Sequence, residues 1–74
     1  MGMPNEEHLN KIKQGVSTWN KWREENPETV PDLSNADIRG CKLQKINLKN
    51  ANLKEAKLQY SNLTGAILEN AFLN

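Results

Sequence analysis

The chain has few of the residues from which chemical centres are built. Its 74 residues contain one cysteine and one histidine. An internal disulfide is therefore excluded, and neither residue has a partner of its own kind for a metal site. No apolar run approaches the length of a membrane span or of a signal-peptide core. We therefore expect no membrane segment and take the cytoplasm as the location of the protein.

The chain does contain a five-residue pattern that recurs from Ala36 to Asn74. Cut every five residues, this stretch reads ADIRG, CKLQK, INLKN, ANLKE, AKLQY, SNLTG, AILEN and AFLN. The third place is leucine or isoleucine in all eight cuts, the first place is small in seven, and the fourth and fifth places are almost all polar. A fixed period this regular indicates a repeat architecture.

A period of five fits neither a helix nor a strand. On a helix, positions five apart rotate by about 500°, so the leucines would spiral around the cylinder. On an extended strand, an odd spacing puts successive leucines on opposite faces. The pattern therefore predicts a chain that turns a corner every five residues, with the first and third places inward. Four such sides close a square coil of about 20 residues, and stacked coils pair by parallel backbone hydrogen bonds.

The repeats resemble those of pentapeptide-repeat proteins, in which AxLxx recurs as it does in ANLKE at residues 51–55. The resemblance covers residues 36–74 and implies a right-handed quadrilateral β-helix. Ile46 departs from the small-residue rule at the first place. The expected fold class is mainly β, with about two coils and one amphipathic α-helix that caps the N-terminal end.

A coil of 20 residues places residues 20 apart in neighbouring layers. The inward columns are Leu33 with Leu53 and Leu73, Ile38 with Leu58, Leu43 with Leu63, and Leu48 with Leu68. On the outside, Asp37 falls beside Lys57. Lys49 similarly falls beside Glu69. Such opposite charges stabilise by roughly 0.2 to 1 kcal/mol per pair.

The N-terminal region has the pattern of an amphipathic helix over about residues 6–25. Asn5 is a good N-cap, and acidic residues follow it where the helix dipole favours negative charge. The helix ends at Asn26 because a residue before proline avoids the α region. The apolar stripe consists of Leu9, Ile12, Val16, Trp19 and Trp22. An open coil end exposes leucines and unpaired backbone groups, so we expect this stripe to pack on it as a cap.

The chain is expected to divide into a helical cap with its connector, residues 1–31, and a repeat region, residues 32–74. The segments GVSTWNKWR at 15–23, NP at 26–27 and PDLS at 31–34 also resemble a leader. This leader precedes pentapeptide repeats in some bacterial, especially cyanobacterial, multidomain proteins.

The C-terminal end of the repeats has a different surface. The outward second place is polar in six of the eight cuts but becomes apolar at Ile67 and Phe72. Two coils alone are marginally stable, so something must cover this end. We expect either a longer parent protein or a second copy, with Ile67, Phe72 and Leu73 as the hypothesised self-association surface.

The candidate reactive groups are isolated, and we expect a solvated helix residue at His8 and a small core residue at Cys41. The chain has no glycine-rich phosphate loop and no paired inward carboxylates. We therefore predict no catalytic residues, no cofactor and no metal site. Tyr60 is expected to cover Gly40 from the next coil. The lysines of the repeats are expected to form a solvated face: Lys42, Lys45, Lys49, Lys54 and Lys57.

The function expected from these features is a non-catalytic structural or protein-interaction module, with self-association or docking to parent domains. One alternative comes from family members that mimic duplex DNA and bind gyrase, which resemble long acidic rods. Residues 36–74 carry six basic and three acidic side chains, which disfavours that alternative. Another alternative is weak binding of nucleic acid or another anion by the lysine face. The predicted helix has four basic and four acidic residues, so its tryptophans favour neither nucleic acid nor a membrane.

Overall fold

The computed structural model describes residues 3–73, so positions 1, 2 and 74 of the two predicted segments lie outside the described residues. Two helices come first: α1, Glu6–Lys13, and α2, Val16–Glu25. Two short strands follow: β1, Asn52–Leu53, and β2, Phe72–Leu73. Most of the repeat region consists of turns joined by single parallel bridges.

The prediction of one helix over residues 6–25 is wrong, because the chain breaks at Gly15. This residue has φ 113° and ψ 164°, a conformation that residues with a side chain rarely adopt. Its amide donates to the Ile12 carbonyl (3.2 Å) and its carbonyl accepts from Trp19 (3.0 Å), so Gly15 ends one helix and begins the next. The apolar spacing continues across the break, which is why the sequence pattern did not reveal it.

An asparagine caps the N-terminus of α1 and another caps the C-terminus of α2. Asn5 is the N-cap of α1, and its side chain accepts a hydrogen bond from the amide of His8. Asn26 is the C-cap of α2, and both its backbone amide and its side-chain amide donate hydrogen bonds to the carbonyl of Trp22. The helix ends there, directly before Pro27, as the sequence predicts.

The repeat region is held together by parallel pairing between residues 20 apart. Asn52 and Leu53 pair with Phe72 and Leu73 as β1 and β2. The isolated bridges are Asp32 with Asn52, Asp37 with Lys57, Lys42 with Asn62, and Asn47 with Ile67. Each 20-residue turn of the chain therefore contains four five-residue segments, and each segment has one pairing. We call these segments sides 1 to 4, and in the first turn they begin at residues 31, 36, 41 and 46. Coil 1 is then residues 31–50 and coil 2 is residues 51–70.

Each corner between sides is a tight turn with a left-handed residue at the fifth place. In the first corner, for example, the amide of Ala36 donates to the carbonyl of Leu33 over 3.0 Å. A positive φ at the third residue of such a turn is typical of a type II turn. The fifth-place residues with positive φ are Asn35, Gly40, Lys45, Asn50, Glu55, Tyr60, Gly65 and Asn70.

The core lies between the helices and coil 1. Its buried members are Ile12, Trp19, Trp22, Leu33, Ala36, Ile38, Leu43, Ile46, Leu48, Ala51 and Leu53. After Ala51 and Leu53, the inward residues of coil 2 that pack against this core are only partly buried: Ala56, Leu58, Leu63 and Ala66. Burial therefore decreases from the helical end of the repeats towards their C-terminal end. Within residues 3–73, no helix is both long and apolar enough to cross a membrane.

Candidate interaction surfaces

Helix α1 covers the N-terminal edge of side 1. The amide of Asn5 donates to the carbonyl of Asp32 (3.0 Å), and the amide of Asp32 donates to Nδ1 of His8 (2.9 Å). Both backbone groups of Asp32 on this edge are therefore paired, as a preceding coil would pair them. The helix thereby protects a sheet edge that would otherwise be open to other chains.

The prediction that His8 is a solvated residue is wrong. His8 is 7% exposed, and its ring lies 4.8 Å from that of Trp22. Because Nδ1 accepts a hydrogen bond, the imidazole acts here as a neutral acceptor for the backbone. No feature of the sequence pairs His8 with Asp32, since the acceptor serves a main-chain amide 24 residues away.

Helix α2 covers the N-terminal edge of side 4 with three polar side chains. The Trp19 indole donates to the carbonyl of Asn47 over 2.7 Å. The Asn20 amide accepts from the Asn47 amide (2.8 Å) and donates to the carbonyl of Lys45 (3.1 Å). Together these side chains replace the backbone groups that a neighbouring coil would provide.

Arg23 completes the contact on side 4. Its two terminal nitrogens donate to the carbonyls of Asn47 (2.9 Å) and Lys49 (2.7 Å). The side chain is buried, and this burial lowers the pKa of the guanidinium below its ordinary value. The guanidinium of Arg23 therefore binds carbonyl oxygens inside the protein.

The five predicted cap residues are all at the interface between helices and repeats. Ile12, Trp19 and Trp22 are buried members of the core, and Leu9 and Val16 pack against it. The rings of Trp19 and Trp22 lie 5.1 Å apart. The two tryptophans thus combine apolar burial with the polar contacts that surround them.

Sides 2 and 3 differ from sides 1 and 4 at the N-terminal edge. The bridge residues of sides 2 and 3 are Asp37 and Lys42. Both are exposed, whereas Asp32 and Asn47 are partly buried under the helices. Within residues 3–73, no hydrogen bond joins either helix to Asp37 or Lys42. The cap therefore protects two of the four sides.

The C-terminal end exposes the three residues predicted to mediate self-association. Ile67 is 47% exposed, and Phe72 and Leu73 are each 53% exposed; Leu68 beside them is 37% exposed. Phe72 and Leu73 lie on side 1 and Ile67 lies on side 4, so they share one corner of the open end. The structure thus brings the predicted residues to one surface, together with Leu68, which the sequence analysis placed in the interior.

Several backbone amides at the C-terminal end have no hydrogen-bond acceptor within residues 3–73. In coil 1, the amides of Ile38, Leu43 and Leu48 donate to carbonyls of coil 2. In the part of the chain that the structure describes, the equivalent amides of coil 2 have no such acceptor: Leu58, Leu63 and Leu68. This end therefore combines apolar side chains with free hydrogen-bonding groups.

Of the two outward ion pairs expected from the register, one forms. Lys49 lies 3.7 Å from Glu69. Asp37 pairs with Lys57 through the backbone, but its carboxylate accepts two 2.8 Å hydrogen bonds from Arg39, two residues away on its own side. The ion pair predicted between Asp37 and Lys57 is therefore wrong, because Nε and one terminal nitrogen of Arg39 bind the carboxylate. These hydrogen bonds lower the pKa of Asp37 to about 2.

Cys41 lies in coil 1 at the corner between sides 2 and 3, and the residue is partly buried. The turn hydrogen bond found at the other corners is absent at this one. Instead, the Ser61 hydroxyl accepts from the Cys41 amide (3.0 Å) and donates to the Ile38 carbonyl (2.5 Å). Ser61 thus ties this corner of coil 1 to coil 2.

No pocket forms among residues 3–73.

Within residues 3–73, the helices cover one end of the repeats, and apolar side chains are exposed at the other. Comparison with family models finds eight copies of the pentapeptide repeat over residues 32–70, more than half of the chain. The chain belongs to the pentapeptide-repeat family, whose members are generally structural repeat proteins. No curated protein and no solved structure matches the chain.

Proposed function

We propose that this chain is a non-catalytic interaction module of a bacterial pentapeptide-repeat protein, and that a second copy covers its C-terminal end. The observation that carries this proposal is the open end itself, where Ile67, Leu68, Phe72 and Leu73 are 37–53% exposed. Outward apolar residues are unusual at the second place of this chain, so Ile67 and Phe72 favour a protein contact over solvent. We place the module in the cytoplasm.

We further infer that the two coils form the right-handed quadrilateral β-helix implied by the family. The support is the offset of 20 residues in every parallel pairing and the left-handed residue at every fifth place. In such a structure the C-terminal end is a flat square of backbone and leucine side chains. A flat end is well suited to contact with another flat end.

The protected N-terminal end favours contact between two C-terminal ends. Helices α1 and α2 occupy sides 1 and 4 of the N-terminal edge, so a second copy cannot stack head to tail without displacing them. Contact of two identical ends produces a closed dimer with twofold symmetry. A head-to-tail contact would instead produce an open filament.

The expected dimer is weak and depends on concentration. Complete burial of an aliphatic or aromatic side chain contributes about 1.5–3 kcal/mol. Four residues per copy, each about half exposed, would then contribute roughly 6–12 kcal/mol in a dimer. The loss of translational and rotational freedom costs about 4–15 kcal/mol, so these side chains leave at most a modest surplus. Hydrogen bonds from the free amides of Leu58, Leu63 and Leu68 would further stabilise the dimer.

The test is the solution mass by light scattering over a range of protein concentrations. We expect the wild-type chain to form a dimer as concentration rises, and Phe72→Lys to remain a monomer because it places a charge in the contact. Gln44→Lys is the matched control, since it adds the same charge at an exposed position of coil 1. The control should dimerise like the wild type.

A folded monomer at all concentrations in the wild type would reject this surface as a self-association site. Loss of dimer in both variants would attribute the effect to net charge and also reject it. We favour this function over a gyrase-binding DNA mimic because such a mimic requires an acidic surface, and the repeats carry more basic than acidic side chains.

A further inference from the structure

Positive charge in the repeats is concentrated on two adjacent sides. The basic residues of sides 2 and 3 are Arg39, Lys42, Lys45 and Lys57, and the acidic residue is Asp37, for a net charge of +3. Sides 1 and 4 carry Lys49, Lys54, Asp32, Glu55 and Glu69, for a net charge of −1. The net charge of a continuous sequence segment does not reveal this division, because each coil contributes residues to all four sides.

The positive charge of sides 2 and 3 is not compensated locally. Asp37 is held by Arg39 with two hydrogen bonds of 2.8 Å. Within residues 3–73, Lys42, Lys45 and Lys57 lie within 4 Å of no carboxylate, whereas Lys49 on side 4 contacts Glu69. The two sides therefore present ammonium groups to solvent and to any anionic partner.

An aromatic ring stands at the corner between these two sides. Tyr60 is 94% exposed and has φ 67°, a left-handed conformation that favours glycine or asparagine. The expectation that its ring covers Gly40 is wrong. A ring exposed to this extent covers little, and a Cβ placed on Gly40 would meet nothing within 4 Å. The ring thus contributes no packing to the fold, and it occupies a position where another residue would be less strained.

The backbone that carries this ring is well held. The amide of Gly40 donates to the carbonyl of Gln59 (3.0 Å), and the Ser61 hydroxyl ties coil 2 to the Cys41 amide. These contacts lie on both sides of Tyr60 in the chain. Arg39 adjoins Gly40 directly, and Lys42 follows two residues later. The ring and the cations are therefore presented on a rigid corner, which reduces the ordering cost of binding.

We infer that this corner, formed by Arg39, Gly40, Lys42, Lys57 and Tyr60, binds single-stranded nucleic acid. An unpaired base stacks on the free face of Tyr60, over the open surface at Gly40, and the neighbouring phosphates contact Lys42 and Lys57. Stacking and cationic contacts are the two interactions used by proteins that bind single strands without sequence preference. A duplex would offer phosphates but no free base face. An acidic peptide would pair with the lysines but leave the ring without a flat partner.

The experiment measures fluorescence anisotropy of a short labelled oligothymidine at low salt. The decisive variant is Tyr60→Gly, which removes the ring and relieves the left-handed strain, so its melting temperature should equal or exceed that of the wild type. We expect its affinity to fall by about 5- to 150-fold, the effect of one lost base stack. Tyr60→Trp keeps an aromatic face and should bind at least as tightly as the wild type.

The lysines are tested by the salt dependence of binding. Lys42→Gln and Lys57→Gln should each reduce the slope of log affinity against log salt by about 0.7, the value for one lost phosphate contact on a single strand. Lys54→Gln on side 1 is the matched control and should leave the slope unchanged. A labelled duplex of the same length should bind more weakly than the single strand.

Several results would overturn this inference. These are absence of binding at low salt, wild-type affinity in Tyr60→Gly, equal losses in Tyr60→Trp and Tyr60→Gly, or an equal slope change in Lys54→Gln. Equal binding of duplex, or tighter binding of a polyglutamate peptide, would assign the corner to another class of partner. The site is separate from the C-terminal end, so its failure leaves the proposed dimer unaffected. Failure of the dimer likewise leaves this site unaffected.

Discussion

At the scale of single residues, the Asp37 carboxylate is held in its charged form by a neighbour on the same side. The largest cause is its side-chain hydrogen bond from Arg39, followed by a backbone hydrogen bond from the same residue. Both contacts favour the ionised carboxylate and lower its pKa. Lys57 in the next coil contributes a smaller electrostatic effect.

We predict that Asp37 titrates with a pKa of about 2, against an ordinary value of 3.8. Because the folded-state pKa is depressed, the pair stabilises the fold fully above the ordinary pKa. This contribution is lost as pH falls towards about 2. The measurement is an NMR titration of the side-chain carbonyl carbon. In Arg39→Gln the pKa should return towards its ordinary value. An unchanged pKa in that variant would show that Arg39 is not the cause.

The residue scale also shows what the repeat pattern predicted and what it did not. The pattern predicted a corner every five residues and the pairing partners 20 residues apart. It did not predict that Lys45, Glu55 and Tyr60 adopt positive φ, since these residues are poor candidates for that conformation. The tight turn that ends each five-residue unit requires the conformation at its fifth place, whatever residue stands there.

At the scale of elements, the break at Gly15 divides two helices that the sequence predicted as one. The break lets α1 pair with side 1 and α2 pair with side 4. A single straight helix could not reach both edges with the same geometry. Gly15 is thus the residue that determines how the cap fits the coil.

We predict that Gly15→Ala destabilises the protein by about 1–3 kcal/mol, because alanine is strained at φ 113°. A steric clash is not the reason, since nothing lies within 4 Å of the added Cβ. The free energy of unfolding is measured by urea denaturation. Ser17→Ala, at an exposed position of α2, is the control and should change it by no more than about 0.5 kcal/mol.

The same substitution distinguishes the two-helix structure from the single helix predicted from the sequence. In a continuous helix, replacing an interior glycine by alanine would stabilise the protein by about 1 kcal/mol. A gain in stability would therefore contradict the observed break. The sequence could not show this difference, because the apolar stripe keeps its helical spacing through residue 15.

The cap contacts were the least predictable part of the site. The residues of the apolar stripe lie in or against the core that the helices share with the repeats. The burial of His8 and Arg23 was missed because their hydrogen bonds end on the backbone of Asp32, Asn47 and Lys49. Because nearly every residue carries the same backbone groups, the sequence does not show which polar side chains of a helix bind them.

At the scale of the whole molecule, stability should decrease from the capped end to the open end. Amides of coil 1 donate to coil 2, and the equivalent amides of coil 2 face the open end. Local openings that expose an amide cost little free energy where contacts are few. The open end should therefore fluctuate more than the core around Trp19 and Leu33, which are both fully buried.

We predict that the amides of Leu58, Leu63 and Leu68 exchange with deuterium at least about tenfold faster than those of Ile38, Leu43 and Leu48. Each pair shares the same side and place, so it controls for position within the repeat, and the comparison uses rates corrected for the neighbouring residues. The measurement is residue-resolved hydrogen exchange by NMR at low protein concentration. Equal rates in the two groups would contradict the gradient. Slower exchange of the coil 2 amides at high concentration would indicate that a second copy covers them.

The hydrogen bonds from α2 to the repeats all end on main-chain atoms, namely those of Lys45 at the end of side 3 and of Asn47 and Lys49 on side 4. The helices thus recognise the shape of a coil and not the identity of its outward side chains. Mutations on the outside of coil 1 can accumulate without loss of this contact. The α1–α2 pair is therefore a portable starting unit, which evolution or an engineer can place before a stack of repeats with an entirely different surface.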